Sequence, residues 1–254
     1  MERLDVHKDL EGNIDDLLLE PYSPVREVIE QTFLTGVSWE IIARIGNSGM
    51  KFREIEVSLS FDARGMLDRE IKRLLSMEIV TKSFPLNHSD DRRKSFHELS
   101  DNLLRFYSTY VFPWKSNLQM LAAPAFFDAF IKDSLGTFIS KRFEAIARSY
   151  LKRQVQAGNL PGVIDIGTYW YDDKERRENG EFDCVLKTKE GSYVVYEVKY
   201  LKDPMSETAV TEAAMKIQQI PGFRPVRIGF ISGSGFEKRD PHYAEIDGEM
   251  RYRR

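Results

Sequence analysis

The sequence predicts an α+β protein of two modules, a helix-rich front half and an α/β back half. Three observations predict it. Residues 38–99 carry three amphipathic helical segments followed by two short strand-like runs. Between Ser134 and Val155 apolar side chains recur at helical spacing (Leu135, Phe138, Ile139, Phe143, Ile146, Tyr150, Leu151). From Gly162 onward strands and one further helix follow in the order of an α/β sandwich. The expected boundaries are a helical tail over 1–36, a first module over 37–117 and a second over 118–254.

With 254 residues, 42% hydrophobic and 30% charged, the chain can bury a sizeable core. No apolar run approaches the roughly 20 residues of a membrane span, so no membrane partner is expected. The first sixteen residues are too polar for a secretory signal. A lone cysteine, Cys184, excludes an internal disulfide framework and suits a reducing cytoplasm. His7, His88, His97 and His242 form no zinc-ligand spacing with it. A net charge of −3 gives no global basic footprint, so any nucleic-acid surface must be local.

In the tail, Leu17–Leu19 is apolar, Pro21 and Pro24 break the chain, and Val25, Ile29 and Phe33 have helical spacing. The tail lacks the bulk for a core of its own and must pack on this chain or on a partner. Trp39, Ile41, Ile42 and Ile45 predict a first helix ending near Gly46–Gly49. Phe52, Ile55, Val57 and Leu59 fit a second helix or a strand. Ser60 or Asp62 can cap a third, with the stripe Met66, Leu67, Ile71, Leu74 and Leu75. Residues 79–84 and 95–99 read as strands around the polar turn 87–94.

Three helices and a hairpin are the plan of a winged helix-turn-helix. Its reading helix would carry Arg64, Arg69, Lys72 and Arg73 beside Asp62, Asp68 and Glu70. Its wing would offer Lys82, Arg92, Arg93 and Lys94 to phosphates. The same plan also serves protein docking, and this helix is charge-balanced rather than basic.

Residues 102–114 predict an aromatic helix closed by Pro113, its stripe read as core. A helical stretch interrupted by Pro124 follows, over 118–130. The long helix after Ser134 places Glu144 at the margin of its apolar face. Gly162–Tyr171 reads as a strand, 172–181 as a charged loop, 183–187 and 193–200 as a hairpin. A helix over 207–220, a strand over 227–232 and a last strand or hairpin within 244–250 complete the chain.

The hairpin carries the chemistry. Closed symmetrically about Glu190, it sets Asp183 opposite Glu197, with Lys199 on the same face and Cys184 and Val198 on the other. Two carboxylates and an ammonium on one patch can hold a divalent ion and stabilise a phosphate. Without metal, at least one of the two carboxyls should have a raised pKa, and Lys199 should pair with one of them.

Asp183, Glu197 and Lys199, ordered D-x(about 13)-E-x-K within helix, strand, hairpin, helix and strand, resemble the core of the PD-(D/E)XK nucleases. That resemblance implies a restriction-endonuclease-like fold and a metal-dependent DNA endonuclease. It implies Mg²⁺ or Mn²⁺ on Asp183 and Glu197, with Lys199 and Glu144 completing the catalytic set. Phe182 stands where that family usually has proline.

The tail (GNIDDLLLEPYSPVREVIEQTF), the helices and hairpin, and the run EFDCVL…YEVKY…FISGSGF…IDGEM together resemble the C-terminal half of an archaeal AAA-type ATPase family. In that family a P-loop domain precedes a winged helix and a nuclease-like domain. This sequence contains no G-x-x-x-x-G-K-[ST], so no ATP binding carries over. The resemblance implies a separate ATPase chain as partner, or a remnant, and leaves a non-catalytic DNA- or protein-binding module as the alternative to the nuclease.

Overall fold

The structure is a computed structural model that describes residues 7–20, 34, 36–46, 48–89, 91–173 and 178–248. The helix expected over Val25–Phe33 lies outside them. The chain divides into two compact units: residues 1–83 with 95–138, and residues 84–94 with 139–254.

In the first unit Asp9 caps α1 (Leu10–Ile14) by accepting from the Gly12 amide at 2.8 Å. A wider turn, Asp15–Leu19, follows. Ile14 and Leu19 are buried among Phe106, Tyr107, Tyr110, Phe126 and Ile131, so this part of the tail packs on its own chain.

Next come α2 (Gly36–Ile45), β1 (Met50–Lys51), α3 (Phe52–Ser58), α4 (Phe61–Arg64) and α5 (Leu67–Ser76). The ambiguous 52–59 stretch is therefore helical, and the third expected helix is split at Gly65–Met66. Ile41, Ile42, Ile45, Ile55, Leu67, Ile71 and Leu74 close one core with Val80 and Leu99. Each such side chain contributes about 1.5–3 kcal/mol by leaving water. β2 (Val80–Ser83) and β3 (Phe96–Leu99) pair antiparallel, and β1 adds to β3, giving the order β1-β3-β2.

The aromatic segment starts as α6 (Asn102–Phe106), widens over Tyr107–Val111 and tightens over Phe112–Trp114. Its stripe is core, as expected. Neither proline acts as expected. Pro113 does not end the helical path, because α7 (Lys115–Met120) continues it. Pro124 opens α8 (Ala123–Phe130), where its missing N–H costs nothing. The expected boundary at residue 117 consequently falls inside a helical run. The division comes instead after Phe138, within α9 (Lys132–Gln156).

The second unit is a five-stranded mixed sheet in the order β4-β5-β6-β7-β8. β4 (Val163–Asp173) and β5 (Glu178–Thr188) run antiparallel for nearly their whole length. Within the charged loop expected over 172–181, the described residues 172–173 and 178–181 are strand, because they pair across β4 and β5. β6 (Tyr193–Lys199) returns antiparallel, with Val185, Leu186 and Lys187 opposite Val195, Val194 and Tyr193. That register is symmetric about Glu190, as expected. Gly191, at φ 81°, supplies the left-handed turn residue.

α10 (Glu207–Gln218), capped by Ser206, crosses to β7 (Arg227–Ser232), which lies parallel to β6. β8 (Ala244–Asp247) is a parallel strand beside β7. Phe143, Ala147 and Leu151 of α9 cover one face of the sheet over Cys184, Leu186, Tyr196, Val198 and Ile231. Val210, Ala214 and Ile217 of α10 cover the other over Phe182, Val185, Val195 and Phe230.

Residues 84–94, expected as the tip of a wing, belong to this second unit. Leu86 is buried in the α10-side core. The Asn87 amide both donates to the Trp170 carbonyl (2.7 Å) and accepts from its N–H (3.2 Å), occupying backbone groups of the outer strand β4.

Candidate functional site

Between Gly167–Val185 and Tyr169–Phe182 the β4–β5 ladder gains one residue on β5, so Asp183 and Cys184 stand opposite Thr168 alone. This bulge explains why Phe182 and Val185, three apart, bury on the same face. Asp183 occupies it. The β5–β6 pairs end at Val185–Val195, and past the bulge the Glu197 charge still acts on Asp183.

Glu197 and Lys199 share one face of β6, and Lys199 Nζ lies 2.7 Å from Glu197 Oε1. Lys199 is thus engaged by a carboxylate, as the sequence predicts for a site without metal. The Asp183 carboxyl is raised above its ordinary range. Burial is the main cause and the Glu197 charge adds to it, while Arg148, Lys199 and Lys141 oppose it. The expectation of a raised carboxyl is met, though desolvation rather than like-charge repulsion leads.

Burial works against the Lys199 ammonium, but its contact with Glu197 and the charges of Asp183 and Glu144 raise it overall. Glu144 lies half-buried on α9, and its carboxyl is pushed up to about 7 by burial and then by Asp183. Residues from a helix and two strands, Glu144, Asp183, Glu197 and Lys199, therefore share one electrostatic neighbourhood.

Three further residues stand there. Arg148, one turn after Glu144 on α9, donates from Nη1 to the Asp183 carbonyl at 2.6 Å. The i,i+4 spacing of Glu144 and Arg148 is the signal in the sequence that could have marked it. Glu181, two residues before Asp183, has a carboxyl raised by burial and by Asp183. Lys216 of α10 lines a cleft of about 370 Å³ together with Tyr171, Glu181, Glu197, Lys199 and Glu212. Glu181 falls in the 172–181 stretch that the sequence reads as a loop, so no alternation argument reaches it.

Carboxylate oxygens are the hard donors Mg²⁺ and Mn²⁺ prefer, and Mg²⁺ is commonly held by one or two carboxylates plus substrate phosphate. Asp183 and Glu197 match that donor chemistry. Among the described residues, no group of three or more His, Cys, Asp or Glu is placed to hold a metal ion. The fit is to a two-carboxylate site completed by other ligands.

Six of the eight expected nucleic-acid contacts have partners within their own units. Arg64 donates to the carbonyls of Leu59 and Val57, both at 3.0 Å. Arg69 and Arg73 approach the two oxygens of buried Glu70 at 3.3 and 3.4 Å, and Lys72 pairs with Asp68 at 2.6 Å. The Ser38 hydroxyl, 2.8 Å from Glu70, is the main cause of that carboxyl's lowered pKa. Lys82 is exposed on β2. Arg93 is 93% exposed and approaches Asp91, and Lys94 Nζ lies 2.8 Å from His88 Nε2. The Arg92 side chain lies outside the described residues. Among those residues no helix is long and apolar enough to cross a membrane.

Residues 107–215 match the family DUF234, described as archaeal and bacterial proteins of unknown function. The match runs from the aromatic segment to α10 and contains Glu144, Asp183, Glu197 and Lys199. An uncharacterised protein of Methanocaldococcus jannaschii, MJECL04, is 26% identical over 106 residues, 41% of this chain and 24% of that protein. The alignment thus spans about a quarter of that relative. Two solved structures are similar in part. Protein VC1899 from Vibrio cholerae has a TM-score of 0.30 and 11% identity over 85% of this chain and 52% of that one. The SdaI restriction endonuclease has a TM-score of 0.24 and 10% identity over 82% of this chain and 83% of that one.

Proposed function

We propose that the chain is a DNA-directed protein whose second unit cleaves phosphodiester bonds with Mg²⁺ or Mn²⁺ at Asp183, Glu197 and Lys199. The observation that carries this reading is the bulge-borne Asp183 coupled to the Glu197–Lys199 pair on the next strand. The unit's topology supports it: a long helix, three antiparallel strands, a helix, then a parallel strand, as in restriction-endonuclease-like domains. The element order of the front unit and its β1-β3-β2 sheet support reading it as a winged helix-turn-helix, a fold suited to duplex docking.

Asp183 and Glu197 would hold the ion, whose chemistry there would be to polarise a phosphoryl oxygen. Lys199, 2.7 Å from Glu197, would supply a mobile positive charge to the phosphate. Glu144, poised at about 7, can accept a proton from the attacking water near neutral pH. The cleft beside β6, lined by Glu197 and Lys199, leaves room for a substrate phosphate.

A second reading is a non-catalytic DNA- or protein-binding module that partners a separate AAA-type ATPase. The Lys199–Glu197 ion pair at 2.7 Å, in which the two groups already satisfy each other, favours it. Incubation with branched, single-stranded and duplex DNA in Mg²⁺ or Mn²⁺ separates the two. Cleavage lost in Asp183→Ala and Lys199→Ala supports the nuclease. Binding without cleavage, unchanged by either substitution, supports the module.

A further inference from the structure

We propose that Arg148 is the positioning residue of this site: reaching from α9, it grips the backbone of the β5 bulge and so aims Asp183 toward Glu197 and Lys199. The inference rests on the nuclease reading for its catalytic consequence, while the grip stands on geometry alone. Arg148 Nη1 donates to the Asp183 carbonyl at 2.6 Å, and both residues are partly buried. Thr168 faces Asp183 and Cys184 together, so one residue of β5 is surplus to the ladder there. A bulged residue leaves the regular pairing, and a half-buried carbonyl needs a donor from elsewhere. The guanidinium provides that donor.

Losing the grip affects more than one bond. The bulge keeps Phe182 and Val185 on the α10 side while Cys184 stays on the α9 side. Smoothing it out by one residue would turn Asp183 to a different face of the sheet. Arg148 also stands among acidic neighbours, since its charge acts on Asp183, Glu144 and Glu181. The same side chain that fixes the strand therefore offsets part of the repulsion among the carboxylates. Lysine would keep the charge and one donor but lose the planar fork.

Cys184 is a built-in reporter. It is the only cysteine of the chain, fully buried within the bulge, and its thiol is pushed up to about 12. Labelling by a thiol reagent thus requires the bulge to open. Two quantities are to be measured in wild type, Arg148→Ala, Arg148→Lys and the exposed control Arg153→Ala: the labelling rate of Cys184 without metal, and kcat and KM for DNA cleavage with Mg²⁺.

Arg148→Ala is expected to label about tenfold faster and to lose about tenfold in kcat with KM within about twofold, the pattern of a lost transition-state alignment. Arg148→Lys should recover part of both, and Arg153→Ala should match wild type. Labelling unchanged in Arg148→Ala overturns the grip. Faster labelling with unchanged kcat in a wild type that cleaves overturns the positioning role. A wild type that cleaves no DNA removes the nuclease reading, and the labelling rates alone then decide the grip.

Discussion

Lys199 Nζ and Glu197 Oε1 lie 2.7 Å apart on one face of β6, so the lysine competes with any cation for that carboxylate. Replacing Lys199 by alanine removes the competitor and the charge at the phosphate together. Lys199→Ala should bind Mn²⁺ as tightly as wild type or tighter by calorimetry, yet cleave DNA at least about a hundredfold more slowly. Weaker Mn²⁺ binding would mean that Lys199 organises the carboxylates instead of competing for them.

Glu144 gives the site a pH signature. Its folded carboxyl lies at about 7 against an ordinary 4.5, so the folded state binds this proton more tightly than the unfolded chain does. Ionising it therefore costs stability. The cost is absent below about 4.5, grows as pH rises and is complete above about 7. The raised carboxyls of Asp183 and Glu181 act in the same direction. The raised Lys199 contributes stability that is constant across this window, being lost only as pH climbs past its ordinary 10.5. Urea unfolding of wild type should show a loss on the order of 1–3 kcal/mol across the window, and Glu144→Gln should lose distinctly less. Identical profiles would remove Glu144 as a titrating group.

Millimolar Mg²⁺ or Mn²⁺ should raise the melting temperature of the wild type, because an ion held by Asp183 and Glu197 binds the folded state alone. A hundredfold excess over the dissociation constant corresponds to about 2.7 kcal/mol. Asp183→Asn keeps the shape, removes the charge and should show no such shift. Equal shifts in both proteins would place the ion elsewhere.

The sequence made the second unit legible where local pattern and tertiary structure agree. The heptad-like apolar recurrence from Leu135 to Leu151 is α9, and the symmetric hairpin about Glu190 has the register its turn residues imply. The site was legible as far as strict alternation reaches, which covers Glu197 and Lys199. Asp183 lies on a bulge, and a bulge is set by pairing with β4, which leaves no trace in the β5 sequence itself. Arg148 stands in a run of cations along α9, where only its i,i+4 spacing from Glu144 sets it apart and its bond to the β5 backbone depends on packing. Pro113 and Pro124 misled for a related reason: proline interrupts a helix only at interior positions, and here each stands at the start of a helical turn. The basic residues of α4 and α5 stand out in the sequence by charge alone, and their bonds to Glu70, Asp68 and backbone carbonyls depend on packing.

Two glycines should respond to alanine with opposite sign. Gly229 is buried on β7 between Tyr196 of β6 and Ala244 of β8. An added Cβ there would stand 2.5 Å from the Tyr196 ring and 2.9 Å from the Ala244 carbonyl. The ring is itself buried and the carbonyl is backbone, so neither yields easily. Overpacking of this kind costs about 1–3 kcal/mol. Gly136 lies within α9, and its added Cβ would meet nothing within 4 Å. There alanine reduces the backbone freedom of the unfolded chain and should stabilise by about 0.5–1 kcal/mol. At about 2–4 °C per kcal/mol for a chain of this size, Gly229→Ala should melt several degrees lower and Gly136→Ala slightly higher than wild type. Calorimetric scans of the two variants check both signs. A Gly229→Ala protein as stable as wild type would show that Tyr196 can move, and with it the strand that carries Glu197.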